Sequence, residues 1–277
     1  MTKCKDIITA IEEFAPPELA EIWDNNGLLV GDSEKSINRV LLCLDVSSEV
    51  VDEAIKFGAD LIVAHHPVLI PSFSQISRIT EQEVTGRIII KLIKNDISVF
   101  AAHTNFDSAE GGLIDILANK LDIQNLRHFT DDECRDEWGK PTEKFGREGT
   151  LKTAHSSAEK NNHPTLLEFT KFVEQKLNVT AIKYVGDANR KLKTAALCCG
   201  GGDSMLYAAY RAGADVFIIG DVRHHVAHAA AELGIAVIDA GHYETEIIFC
   251  EFMKEFLGKK FPAIEIGIPK TGGFFKA

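Results

Sequence analysis

The sequence predicts an α/β protein made of two related α/β domains, with a dinuclear metal site in the cleft between them. Three observations carry that reading. Short apolar runs bounded by turn residues, such as Leu61-Ile62-Val63-Ala64, alternate with amphipathic stretches of helical period, the signature of βαβ units around a buried, mostly parallel sheet. The order of these elements recurs in the second half of the chain. Histidines and carboxylates stand where several of the apolar runs stop.

Bulk properties narrow the function classes. A chain of 277 residues with 45% hydrophobic and 26% charged residues has ample material for one large core or two modest ones. Its formal net charge of −11 argues against broad nucleic-acid binding, which needs a cationic face. It leaves room for a small anionic substrate, because bound divalent cations reverse the potential locally. No apolar run reaches bilayer-crossing length, so no membrane partner is expected. The start, Met1-Thr2-Lys3-Cys4-Lys5-Asp6, lacks a signal peptide's apolar block, which sets the expectation of a cytoplasmic protein. Six cysteines without Cys-x-x-Cys spacing read as small buried hydrophobes in a reducing compartment.

The elements follow in order. Asp6 to Phe14 has a helical apolar stripe, which Pro16-Pro17 interrupts. Trp23-Asp24-Asn25-Asn26-Gly27 signals a turn before the short strand Leu28–Val30. Arg39 to Leu44 is a strand, and Ser47-Ser48-Glu49 caps a helix reaching Phe57. The run ending in His65-His66 comes next. Pro71 to Thr80 reads as irregular, Glu83 to Asn95 as a helix and Ile97 to Ala102 as a buried strand. That strand delivers His103-Thr104-Asn105-Phe106-Asp107, read as a turn, before a helix over Gly111 to Leu121.

Residues 128–148 form an acidic connecting loop that divides the chain into domains 1–127 and 128–277, with the last strand region free to pack back on the first domain. Beyond it come a strand from Gly149, a helix from Pro164 to Leu177, and strands near 181–185 and 194–199. Gly200-Gly201-Gly202-Asp203-Ser204 links the last of these to a helix through Arg211. Strand Asp215 to Ile219, helix Arg223 to Leu233 and strand Ile235 to Asp239 follow. Gly241-His242-Tyr243-Glu244-Thr245-Glu246 then opens a final helix.

The halves repeat. Leu42-Cys43-Leu44, a helix and Gly58-Ala59-Asp60 answer Leu197-Cys198-Cys199, a helix and Gly213-Ala214-Asp215, with the same offset from Cys43 to Cys198 as from Gly58 to Gly213. Farther on, His103-x-x-x-Asp107 falls opposite His242-x-x-x-Glu246. Two βαβ-based halves facing a common cleft are the expected result.

The chemistry resides in His65, His66, His103, Asp107, His242 and Glu246. On a helix, His242 and Glu246 share one face with Cβ atoms about 5–6 Å apart. Mixed imidazole and carboxylate donors suit Zn, Mn, Fe, Co or Ni rather than Ca or Mg. The set is rich enough for two divalent ions that share a carboxylate, and hydrolysis is the expected reaction class. His225 is an acid/base candidate, while His224 and His228 read as solvated residues or outer partners of the site. His128, His155 and His163 read as surface residues. The glycine stretch at 200–204 fits either an anion cradle or a tight structural turn, and it lacks the Lys of a P-loop.

These motifs resemble the GTP cyclohydrolase I type 2 homologues, also described as dinuclear-metal-centre hexameric proteins. The likeness runs over nearly the whole chain through Trp23-Asp24-Asn25-Asn26-Gly27-Leu28-Leu29-Val30-Gly31-Asp32, Ala64-His65-His66-Pro67, His103-Thr104-Asn105-Phe106-Asp107 with Gly111-Gly112, and Asp239-Ala240-Gly241-His242-Tyr243-Glu244-Thr245-Glu246. It is similar to the compact form, without the domain that some members insert between the halves. The resemblance implies a homohexameric ring with metal pairs facing its interior. It implies metal ligands at His65, His66, Asp107, His242 and Glu246, with Glu246 bridging and serving catalysis and His103 as a sixth ligand or an outer partner. It also implies hydrolysis of a nucleotide or other small anionic substrate. A metal-bearing toroidal scaffold without turnover is the alternative.

Overall fold

The computed structural model describes residues 1–69, 78–143, 145–152 and 163–271. The expected irregular stretch at 71–77 and His155 lie outside the described residues.

In chain order the elements are α1 (Cys4–Phe14), β1 (Gly27–Val30), β2 (Arg39–Cys43), α2 (Ser48–Phe57), β3 (Leu61–Ala64), α3 (Val84–Lys94), β4 (Ser98–Ala101), α4 (Thr104–Ser108), α5 (Leu113–Lys120), β5 (Ile123–His128) and β6 (Arg147–Leu151). They continue with α6 (Leu166–Leu177), β7 (Lys183–Val185), β8 (Thr194–Gly201), α7 (Leu206–Arg211), β9 (Val216–Gly220), α8 (His224–Leu233), β10 (Ala236–Asp239), α9 (His242–Glu246), α10 (Ile248–Lys260) and β11 (Glu265–Gly267). Local chemistry sets several of the ends. Ser47 caps α2 by accepting from the Val50 amide, and Gly58 closes that helix in the left-handed conformation, where glycine carries no Cβ penalty. Thr165 and Glu168 form a reciprocal capping box on α6.

The chain divides into two compact units, residues 1–109 with the segment from Phe249, and residues 110–248. The boundary expected at 127/128 thus differs from the division by contacts, which assigns α5 and β5 to the second unit.

The first unit holds a five-stranded sheet in the order β1-β4-β3-β2-β11. Strands β4, β3, β2 and β11 run parallel, and β1 is the antiparallel edge. All four residues of β3 are buried, as expected of a parallel strand covered on both faces. Leu41, Ile62 and Val99 pack with Val51, Ala54, Ile88 and Leu92 of α2 and α3. A second apolar layer joins Phe14, Phe106, Phe249, Phe252 and Phe256, with ring centroids 5.2–5.9 Å apart.

The second unit holds six strands in the order β5-β6-β8-β9-β10-β7. Its parallel trio β8-β9-β10 with antiparallel β7 on the edge repeats the arrangement of β2, β3, β4 and β1. Even the joints match. The Asp60 carboxylate accepts from the Asn38 and Arg39 amides at 2.7 and 3.0 Å, and that of Asp215 accepts from Lys193 and Thr194 at 2.8 and 3.1 Å. In each half an aspartate before one parallel strand clasps the start of its neighbour.

Two features were not predicted. His103 to Asp107, expected as a turn, carries one turn of helix, α4. Arg147 of β6 is almost fully buried and donates to Asp115 of α5 at 2.9 Å. All six cysteines are buried and none is in a disulfide. Burial pushes the Cys250 thiol up to about 12 and that of Cys43 well above its ordinary range, so neither is a nucleophile near neutral pH. Among the described residues, no helix is long and apolar enough to cross a membrane.

A cation as buried as Arg147 is costly once its partner is gone. Asp115→Ala, which leaves that cation without its carboxylate, is expected to lower unfolding free energy by about 3–5 kcal/mol in urea titrations, and Arg147→Met combined with Asp115→Leu to recover most of that loss. A shift under about 1 kcal/mol for the single variant would show that the pair is not structural.

Candidate metal centre

In the first unit, the site begins where β3 ends. The amides of His65 and His66 continue the ladder by donating to Cys43 and Leu44 carbonyls at 3.0 and 2.9 Å, so their backbone is fixed before any side-chain contact is made. His65 is fully buried against the ring of Phe249, 5.1 Å between centroids. Its Nδ1 lies 2.9 Å from the Ala102 carbonyl oxygen. A carbonyl only accepts, so Nδ1 carries the proton and Nε2 of the neutral ring presents its lone pair. The same logic holds for two neighbours, in which carboxylates occupy Nδ1: Asp45 on His66 at 2.9 Å and Asp24 on His103 at 2.8 Å.

The result is convergence. One ring nitrogen from each of His65, His66 and His103 lies within 4.8 Å of the others. Asp107 of α4 brings Oδ1 to 3.7 Å from His65 Nε2. Burial alone would raise the Asp24 carboxyl. Hydrogen bonds from His103, Thr104 and the Asn25 amide outweigh it and leave Asp24 at about 2.

In the second unit, His242 opens α9 and Glu246 closes it, with His242 Nε2 3.1 Å from Glu246 Oε2. His242 Nδ1 lies 2.7 Å from the Asp221 carboxylate. Glu246 is buried, and the glycine-rich end of β8 explains how it fits. Gly200 has φ +54, and a Cβ there would stand 2.0 Å from Glu246 Oε1 and 3.0 Å from His242 Nε2. The Gly200 amide donates to Thr245 Oγ1 at 3.0 Å. A Cβ on Gly220 would meet the His242 backbone at 2.6 Å. Of the two readings of residues 200–204, close packing is the one the contacts support: glycine lets the backbone approach a carboxylate and an imidazole.

The structure therefore gathers His65, His66, His103 and Asp107 in one unit and His242 with Glu246 in the other. His225 is not among the residues whose donor atoms converge. It sits exposed in the first turn of α8, edge-on to His224 at 5.6 Å. His224, His228 and His128 are exposed, and His163 is half-buried. Sequence reasoning missed Asp24, Asp45 and Asp221, which hold the imidazoles, and the role of Gly200. A weak signal existed for two of them: Asp45 and Asp221 each stand just past a predicted strand of a parallel sheet.

The donors present fit a transition-metal ion. Neutral imidazoles with Nδ1 engaged, and carboxylates beside them, match the usual ligand chemistry of such ions.

Known proteins with these features can be compared. The chain matches the sequence profile of the family described as Duf34/NIF3 (NGG1p interacting factor 3) over residues 2–271. A protein named GTP cyclohydrolase 1 type 2 homolog from Clostridium perfringens is 38% identical over 244 residues, 88% of this chain and 87% of that protein. A protein of the same name from Streptomyces coelicolor is 36% identical over 255 residues, 91% of this chain and 84% of that one. A crystal structure of a Bacillus cereus protein related to NIF3 superposes with a TM-score of 0.85 at 26% identity, covering 100% of this chain and 99% of that one.

Gly200→Ala is expected to displace the Glu246 carboxylate and to cost at least about 1–2 kcal/mol in denaturant titrations, since the left-handed backbone adds its own penalty. Gly201, beside which a Cβ would meet nothing within 4 Å, should tolerate alanine within about 0.5 kcal/mol. Equal effects at the two positions would refute the close-packing explanation.

Proposed function

This chain belongs to the Duf34/NIF3 family, and from that premise we propose that it is a metal-dependent hydrolase of nucleotides or other small anionic substrates. In this reading His65, His66, His103, Asp107, His242 and Glu246 would hold a pair of divalent ions. The single observation that carries the reading is the convergence of the His65, His66 and His103 donor nitrogens. Three imidazoles this close repel one another once protonated, whereas a cation satisfies all three in their neutral form.

Divalent ions in such a donor set act as Lewis acids toward substrate oxygens and lower the pKa of water. The protein's own groups do the rest. His65, fully buried, rests its ring against Phe249. Asp24, Asp45 and Asp221 hold three imidazoles in one tautomer. His225, exposed at the start of α8, is the proton donor and acceptor in this scheme. Nucleotides are the first substrates to test because the relatives carry the name of a GTP cyclohydrolase homolog. A homohexameric assembly belongs to the same proposal and rests on the family resemblance, and a cytoplasmic setting is proposed beside it.

The test combines elemental analysis of untreated protein with a screen of Zn-, Mn-, Fe-, Co- and Ni-loaded samples against GTP, other nucleotides and phosphoesters. Turnover should vanish on chelation and return with metal, and Glu246→Ala should lower it by about 100-fold or more. Metal content without turnover on any substrate would favour the non-enzymatic scaffold. For His225, alanine should lower kcat about 100-fold and leave metal content unchanged; an unaltered kcat removes it from the mechanism.

A further inference from the structure

We infer that Asp24 is a positioning residue that sets two donors of the first unit at once, the imidazole of His103 and the carboxylate of Asp107. The inference rests on the metal-binding reading of those residues and adds to it a group outside the ligand set.

The Asp24 side chain is wholly shielded from solvent. A buried carboxylate costs several kcal/mol unless its lone pairs are satisfied, and here four donors surround it. Oδ1 accepts from His103 Nδ1 at 2.8 Å and from the Asn25 amide at 2.7 Å. Oδ2 accepts from the Thr104 amide at 3.1 Å and the Thr104 hydroxyl at 2.6 Å. The Thr104 hydroxyl oxygen in turn accepts from the Glu21 amide at 2.9 Å, which ties both ends of the 21–24 loop to the same point.

That point is the start of α4. His103 occupies the N-cap position with φ −112 and ψ −114 and gives no side-chain cap. Asp24, nearly eighty residues away in sequence, supplies the missing acceptor to the first helical amide. The helix it starts carries Asp107, whose Oδ1 faces His65 Nε2. One carboxylate therefore fixes the tautomer and direction of His103 and anchors the helical turn that aims Asp107. Asp45 and Asp221 differ, because each holds one histidine and their side chains are 41% and 61% exposed.

The chemistry selects a decisive substitution. All four partners of Asp24 are donors, so Asp24→Asn keeps size and shape while placing an amide NH2 against N–H and O–H groups. Co(II) affinity is measured by chelator competition, with the visible ligand-field spectrum of the saturated protein and the melting temperature of the metal-free protein. Asp24→Asn should raise the Co(II) dissociation constant by about 10–100-fold and alter the spectrum. Asp60→Asn, which loosens a purely structural clasp, should lower the melting temperature without changing affinity or spectrum. Should Asp24→Asn fail to fold, Thr104→Val decides, since it keeps the His103 contact and the amide bond to Asp24 but removes the hydroxyl that ties α4 to Asp24 and to the Glu21 amide. That variant should still alter the spectrum and weaken binding several-fold. Wild-type affinity and spectrum in Asp24→Asn, or in Thr104→Val where that variant decides, would overturn the inference alone. Failure of the wild-type protein to bind Co(II) would overturn it together with the metal-binding reading.

Discussion

An imidazole offers two nitrogens, and the candidate centre depends on how this protein uses one of them. At His65, His66, His103 and His242 the Nδ1 atom is committed to an acceptor, a carbonyl in the first case and an aspartate in the other three. The other nitrogen is then the one that can turn to a ligand, and the ring cannot rotate away without breaking a hydrogen bond. Such commitment fixes tautomer and direction before any ligand arrives, which removes part of the ordering cost of binding. The strand ends of a parallel sheet provide the rigid stems on which this works.

The two halves share a scaffold yet use its strand ends differently. Both contain a matching parallel trio, an antiparallel edge strand beside it and an aspartate clasp at the same place. At the offset that superposes Asp60 on Asp215, His66 falls on Asp221 and Asp45 falls on Gly200. One half thus has a donor where the other has the carboxylate that orients a donor. Likewise, a carboxylate on His66 is replaced by a glycine that makes room for Glu246. The repeat supplies positions, and the residue at each position decides between ligand, support and space.

Much of this was legible in the sequence because it follows from local pattern. Uninterrupted apolar runs located β2, β3, β4, β8, β9 and β10, and histidines at their ends marked the donors. What escaped depends on distant contacts. Strand β5 is mostly exposed and β11 has only three residues, so neither alternation nor an apolar run reveals them. The turn expected at His103 became helical because Asp24 caps it from another part of the chain. Asp24 itself read as an ordinary turn residue, and nothing local distinguishes a solvated aspartate from a fully buried one. Arg147 is a similar case: its ion pair with Asp115 joins residues distant in sequence.

Anomalous X-ray diffraction from crystals grown with Mn(II) or Zn(II) tests the central claim most directly. Ions held as proposed would give strong anomalous peaks within about 2.0–2.2 Å of the donor atoms of His65, His66, His103, Asp107, His242 and Glu246. Crystals in which those side chains are ordered and no peak lies beside them, or in which metal binds elsewhere, would contradict it.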